Sequence, residues 1–217
     1  MVVAIDGPSG VGKSTVSRAV ADALGLAYLD TGSTYRAATL AVLNAGVDVN
    51  TQDAVLDVVM NHAIDYGESG VTLDEKLVAA EIRTDRVTSK VSAVSAHPSV
   101  RSEIVEIQRR WVGAHGGEAV VEGRDIGTVV FPNTSHKIYL TARPEVRAAR
   151  RAGDAEAEES TLEEIAAALR VRDAADSSRV ASPLRPADDA TIIDTSDIGI
   201  EEVVAVILAT VREHPRQ

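Results

Sequence analysis

The chain has 217 residues, 45% hydrophobic, 25% charged and none of them cysteine, which allows one domain with an insert and excludes disulfides, thiolate catalysis and Cys-ligated zinc. A net charge of −11 argues against a long nucleic acid as partner, because neutralising many phosphates needs a basic surface, and leaves a small anionic ligand open. No apolar run reaches the length of a membrane span, and residues 2–5 open into an apolar strand where a leader would be basic, so a cytoplasmic monomer is expected.

In chain order, the apolar run Val2–Asp6 predicts a buried strand closing on Gly7. Val16, Ala19, Val20, Ala23 and Leu24 then repeat with helical spacing up to Gly25, a helix stop. Residues 27–30 predict a second strand. Roughly eighty residues separate it from a third at 119–122, where a simple crossover needs about a dozen. Residues 37–117 are therefore read as an inserted subdomain, and residues 1–36 with 118–217 as the core of a single domain. The insert reads as a helix over 51–63, a hairpin over 71–82 turning at Asp74 and Glu75, and a long helix after Pro98 carrying Val100, Ile104, Ile107 and Trp111. Strands over 137–141 and 191–194 follow. Helices open at Pro144, at the capping box of Thr161 and Glu164, and along Ile200, Val203, Val204, Ile207, Leu208 and Val211. The acidic stretch 154–159 falls in a short lid or solvated loop at about 152–160. Strands and helices alternating in this way make a layered α/β fold on a five-stranded parallel sheet.

Between the first strand and its helix stands Gly7-Pro8-Ser9-Gly10-Val11-Gly12-Lys13-Ser14, the pattern G-x-x-x-x-G-K-[ST] in its required context. The glycines let consecutive amides fold around phosphate oxygens, and the helix N-terminus, which continues into Thr15, adds a favourable dipole. Lys13 is then expected on the β and γ phosphates of a nucleoside triphosphate, with the Ser14 hydroxyl on Mg2+. The loop leaves the acceptor open. A guanine-reading N-K-x-D is absent, and the strand at 119–122 runs into Gly-Arg-Asp where an ATPase motor has paired acids. A kinase for a small acceptor needs arginines at the strand ends, where ligands of this architecture bind.

Such arginines are present. The second strand ends in Asp30-Thr31-Gly32-Ser33-Thr34-Tyr35-Arg36 and the third in Glu122-Gly123-Arg124-Asp125-Ile126-Gly127. Arg172, Asp176 and Arg179 share one helical face, a spacing equally suited to a salt-bridge ladder. Arg143, Arg147, Arg150 and Arg151 form a basic stripe after the fourth strand. Only four of the 22 basic residues are lysines, a bias that GC-rich coding or phosphate recognition would equally produce. In phosphoryl transfer, charge spreads over the equatorial oxygens of the moving group, and fixed arginines stabilise it.

Together these segments resemble the bacterial cytidylate kinase family of P-loop nucleoside-monophosphate kinases. The resemblance is carried by residues 5–10 with Gly12-Lys13-Ser14, by 29–32 with Tyr35-Arg36, by 123–132, and by Arg172-Asp173 with Asp176 and Arg179. It implies an inserted monophosphate-binding subdomain and direct in-line transfer from Mg2+-ATP to CMP and dCMP. It implies that Arg36 and Arg124, helped by Thr31, hold the acceptor phosphate, and that Tyr35 belongs to the substrate-binding set. Ser92, Arg101, Asp125 and Arg179 would read the cytosine, and Arg172 and Asp176 would contact the sugar. The implied catalytic set is Lys13, Arg124, Arg172 and Arg179, and Arg147 and Arg151 would join the loop, including Pro8, Ser9 and Val11, on the ATP side. A carboxylate accepts from the cytosine N4 amine, whereas uracil would turn its O4 toward Asp125, a mismatch of about 1–3 kcal/mol. UMP is thus expected to be a poor substrate.

Overall fold

A computed structural model describes residues 1–153 and 161–213, so the expected lid and the acidic stretch 154–159 lie, from residue 154 on, outside the described residues. The chain divides into two compact units, one of residues 1–29 and 115–217, the other of residues 30–114.

The first unit is built on a sheet ordered β2-β6-β1-β7-β8. Its strands are β1 (Val2–Asp6), β2 (Ala27–Asp30), β6 (Ala119–Gly123), β7 (His136–Thr141) and β8 (Thr191–Asp194). β1 pairs in parallel with β6 and β7, and β7 with β8, which brings Asp6, Gly123 and Tyr139 level at the carboxyl edge. β1 and β6 read as continuous apolar runs because both faces are covered, whereas the edge strand β8 leaves Ile192 exposed. Val3, Ile5, Val120, Ile138 and Leu140 are buried against Val16 and Val20 of α1 (Lys13–Leu24) and Val203, Ile207 and Val211 of α9 (Ile200–Glu213). Each such side chain contributes about 1.5–3 kcal/mol relative to exposure. α1 ends where Gly25, at φ 64°, donates to the carbonyls of Ala21 and Asp22. After β7 come α7 (Pro144–Ala152) and α8 (Leu162–Ser178), the latter opened by the expected box: the Thr161 hydroxyl accepts from the Glu164 amide, and the Glu164 carboxylate from the Thr161 amide.

The second unit holds α2 (Thr31–Asn44), α3 (Gln52–Met60), α4 (Asp85–Thr88), α5 (Val91–Ala96) and α6 (Pro98–Ala114) around an antiparallel sheet. The expected hairpin turns at Asp74 and Glu75, both with positive φ, between β4 (Gly70–Leu73) and β5 (Lys76–Leu77). A strand the periodicity did not give, β3 (Ile64–Gly67), pairs with β4. The helix expected to reach residue 63 stops at Met60, where the Asn61 side chain turns back to the Asp57 carbonyl and frees the next residues to extend. Tyr66 of that strand explains its position: its carbonyl accepts from the Trp111 indole, whose ring meets the tyrosine edge-on at 6.0 Å. Among the described residues, no helix is long and apolar enough to cross a membrane.

Candidate active site

The sharp turn after β1 demands glycine at two points. A Cβ on Gly7 would stand 2.3 Å from the Leu140 carbonyl oxygen, and one on Gly10, at φ 80°, 2.9 Å from the Arg147 carbonyl oxygen. The carbonyls of the loop are taken up by cationic side chains. Arg124 Nη1 donates to Gly7 O at 2.5 Å, Lys13 Nζ to Pro8 O at 2.7 Å, Arg147 Nε to Ser9 O at 2.7 Å and Arg150 Nη1 to Val11 O at 3.3 Å. Among the described residues no peptide bond is cis, and in a trans peptide C=O and N–H point in opposite directions. Anchoring the Ser9 and Val11 carbonyls on Arg147 and Arg150 therefore turns the Gly10 and Gly12 amides to the opposite face of the loop. Gly12 caps α1 with no side chain of its own, so the first-turn amides of that helix stay available to an anion.

The charge around this loop is unbalanced. Burial first, then the facing Arg124 and Arg172 guanidiniums, hold Lys13 well below the ordinary lysine range, against the opposing pull of Glu122 and Asp6. Negative charge facing Lys13 would oppose the share of that shift that the two guanidiniums cause. Asp176, 5% exposed, lies between two of the expected arginines: its Oδ2 accepts from Arg124 Nε at 3.0 Å, and its Oδ1 is 3.7 Å from Arg179 Nη1. The ladder spacing thus resolves into a carboxylate that orients Arg124, just after β6, and Arg179, at the end of α8, together. Asp125, 3% exposed, follows Arg124 and opens a π-helical turn over Ile126–Val130.

The arginine stripe after β7 is divided among separate partners. Arg143 forms a two-pronged pair with Asp197 at 2.6 and 2.7 Å on the surface. Arg147, buried, reaches both Ser9 and Asp173, the latter at 2.5 Å through Nη2. Arg150 donates to the Thr195 hydroxyl at 2.8 Å and carbonyl at 2.6 Å as well as to Val11. Arg151 is half-buried in the last turn of α7. Ser14 and Thr15 are exposed at the start of α1, and the Ser14 hydroxyl is a hard oxygen donor of the kind that Mg2+ accepts beside phosphate oxygens.

The remaining expected residues belong to the second unit. Asp30 caps α2 by accepting from the Ser33 amide at 3.2 Å, which sets Thr31 in the first turn and Arg36 one turn beyond it. Arg36 Nη1 donates to the Ile82 carbonyl and the Thr88 hydroxyl, both at 2.8 Å. The Arg101 guanidinium lies 5.0 Å from the centre of the Tyr35 ring and donates to the Ser95 carbonyl at 3.1 Å. Ser92 is half-buried on α5, which packs against α2.

Sequence reasoning gave four contributors no individual role. Asp6 closes β1 and accepts from the Ile126 and Gly127 amides, each at 2.8 Å. Arg150 and Thr195 support the loop from α7 and the turn after β8. Glu122, 3% exposed, accepts from the Tyr28 hydroxyl. The available signal was an acid at the buried carboxyl end of an apolar strand, Asp6 as the last residue of β1 and Glu122 as the last but one of β6, which a solvated loop would not require.

A sequence profile described as cytidylate kinase matches residues 3–213. A cytidylate kinase of Streptomyces avermitilis is 50% identical, covering 98% of this chain and 93% of that protein. One of Rhodococcus opacus is 49% identical, covering 98% and 95%. A crystal structure of an uncharacterized protein from Eubacterium ventriosum superimposes with a TM-score of 0.53 at 10% identity over 99% of both chains, a likeness of fold alone.

Proposed function

The chain belongs to the cytidylate kinase family, and from that premise we propose that it transfers the γ-phosphoryl group of ATP directly to CMP and dCMP. The observation that carries the donor half is the loop of residues 7–14, whose carbonyls are anchored on arginines and whose lysine is left in a site short of negative charge. Lys13 takes the β and γ phosphates, and the amides of Gly10, Gly12 and the first turn of α1 take the oxygens. Ser14 would hold Mg2+, which neutralises phosphate charge when bound. In the first unit, Arg124 contacts the acceptor phosphate, Asp125 and Arg179 the cytosine, and Arg172 and Asp176 the sugar, while Asp176 also orients Arg124 and Arg179, and Arg172 joins Lys13, Arg124 and Arg179 in the catalytic set. In the second unit, Arg36 with Thr31 and Tyr35 contacts the acceptor phosphate, and Ser92 and Arg101 the base.

The acceptor phosphate oxygen is already nucleophilic, so the protein's work is alignment and charge stabilisation, with no general base. The enzyme works in the cytoplasm as a monomer. A coupled ADP-release assay across CMP, dCMP, UMP, AMP and GMP is expected to give turnover with the cytidine nucleotides. Asp125→Ala should then narrow the preference for CMP over UMP by about tenfold or more. ADP release that ignores the acceptor would abandon the proposal.

A further inference from the structure

The π-helical turn at Ile126–Val130 satisfies its later amides internally: Val129 N donates to Asp125 O at 2.8 Å, Val130 N to Asp125 O at 3.2 Å and Phe131 N to Ile126 O at 2.7 Å. Like the first amides of any helical turn, those of Ile126 and Gly127 have no partner inside it. Both are met by one carboxylate 120 and 121 residues away, with Ile126 N donating to Asp6 Oδ1 and Gly127 N to Asp6 Oδ2, each at 2.8 Å. The next residue of the same strand end, Gly7, accepts from Arg124 Nη1 through its carbonyl. Residues 124, 126 and 127 are thus all tied to residues 6 and 7, and Asp125 is held on both flanks.

We propose that Asp6 is a positioning residue: with the Gly7 carbonyl it clamps both flanks of Asp125 to the phosphate loop, so that the segment holding the donor sets the segment that reads the acceptor. The proposal rests on the reading of Arg124 and Asp125 as acceptor contacts. Only a carboxylate suits the place, because its two oxygens both accept, whereas an asparagine would turn an NH2 toward one of the amide donors. The fit is close. A Cβ on Gly127 would stand 3.1 Å from Lys137 Cγ and 3.5 Å from Asp6 Oδ2. Of the charged or titratable groups around Asp6, Lys13 comes from α1, Arg124 and Asp125 from the end of β6, and Lys137 and Tyr139 from β7. Burial is the largest influence and raises its carboxyl to about 6, so the clamp is in its anionic, two-acceptor form at neutral pH.

Asp6→Asn tests the clamp in the full-length protein. Hydrogen exchange at Ile126 and Gly127 should accelerate about tenfold or more while Val3 and Ile5 keep their protection. The KM for CMP should rise about tenfold with the KM for ATP changed less than about threefold, a split that general destabilisation does not produce. Unaltered exchange at Ile126 and Gly127, or equal rises in both KM values, would overturn the proposal. If wild-type protein turns over no CMP, the functional reading fails, and the exchange result alone decides the clamp. If the variant does not fold, exchange in the wild type replaces it: protection at Ile126 and Gly127 relative to Val3 and Ile5 must fall as the pH is lowered through about 6. A constant ratio overturns the proposal.

Discussion

Replacing Arg147 by alanine separates two roles that the sequence could not. The side chain is 9% exposed, donates to the Ser9 carbonyl at 2.7 Å, and pairs with Asp173 at 2.5 Å. Breaking a fully buried pair costs about 3–5 kcal/mol. The Asp173 side chain is 24% exposed and can be partly rehydrated, so its share falls to about 2 kcal/mol, and the lost charge-assisted bond to Ser9 adds about 1 kcal/mol. About 3 kcal/mol in a chain of this length corresponds to a melting temperature lower by roughly 6–12 °C. With the Ser9 carbonyl released, the Gly10 amide is no longer aimed, and kcat/KM for ATP should fall about tenfold or more while the KM for CMP stays within about threefold. Thermal denaturation and initial rates measure both, and Arg147→Lys should recover part of each by serving one partner. An Arg147→Ala protein that keeps its melting temperature yet loses ATP affinity would refute the reasoning, making the guanidinium a direct nucleotide contact that stands outside the loop's framework.

Gly10→Ala should cost about 1–2 kcal/mol from its positive φ alone, with a further clash on the Arg147 carbonyl, and should raise the KM for ATP selectively. Because Lys13 sits below the ordinary lysine range and a triphosphate would add facing negative charge that opposes the lowering, nucleotide binding at alkaline pH should take up protons. Calorimetry in buffers of different ionisation enthalpy should detect this, and Lys13→Met should abolish both the uptake and most turnover while CMP affinity stays largely intact. Asp6, raised from 3.8 to about 6, contributes stability that is fully present below 3.8 and is lost as pH rises through about 6. A shift of that size amounts to about 3 kcal/mol, so urea unfolding should show Asp6→Asn gaining on the wild type from about pH 4 to about pH 7, and a constant difference would contradict the assignment.

The sequence by itself determined what is local. Apolar runs closed by turn residues located β1, β2, β6, β7 and β8, the Thr161 box located the start of α8, and the spacing of glycines before Lys13 located the sharp turn between β1 and α1, because each depends on neighbours a few residues apart. β3 escaped, since Asn61, where the preceding helix stops, was read as part of that helix, and the strand is held by Trp111, 45 residues on from Tyr66. The tertiary structure alone decided the partners: which arginines brace the loop and which pair with carboxylates, and that a strand-end acid orders the turn beyond Arg124. Arg147 and Ser9 are 138 residues apart, and Asp6 and Ile126 are 120 apart. A guanidinium or carboxylate carries no mark of its partner in the chain, because long side chains choose among every donor and acceptor that strand order brings within reach, and that order becomes definite only once the sheet is assembled.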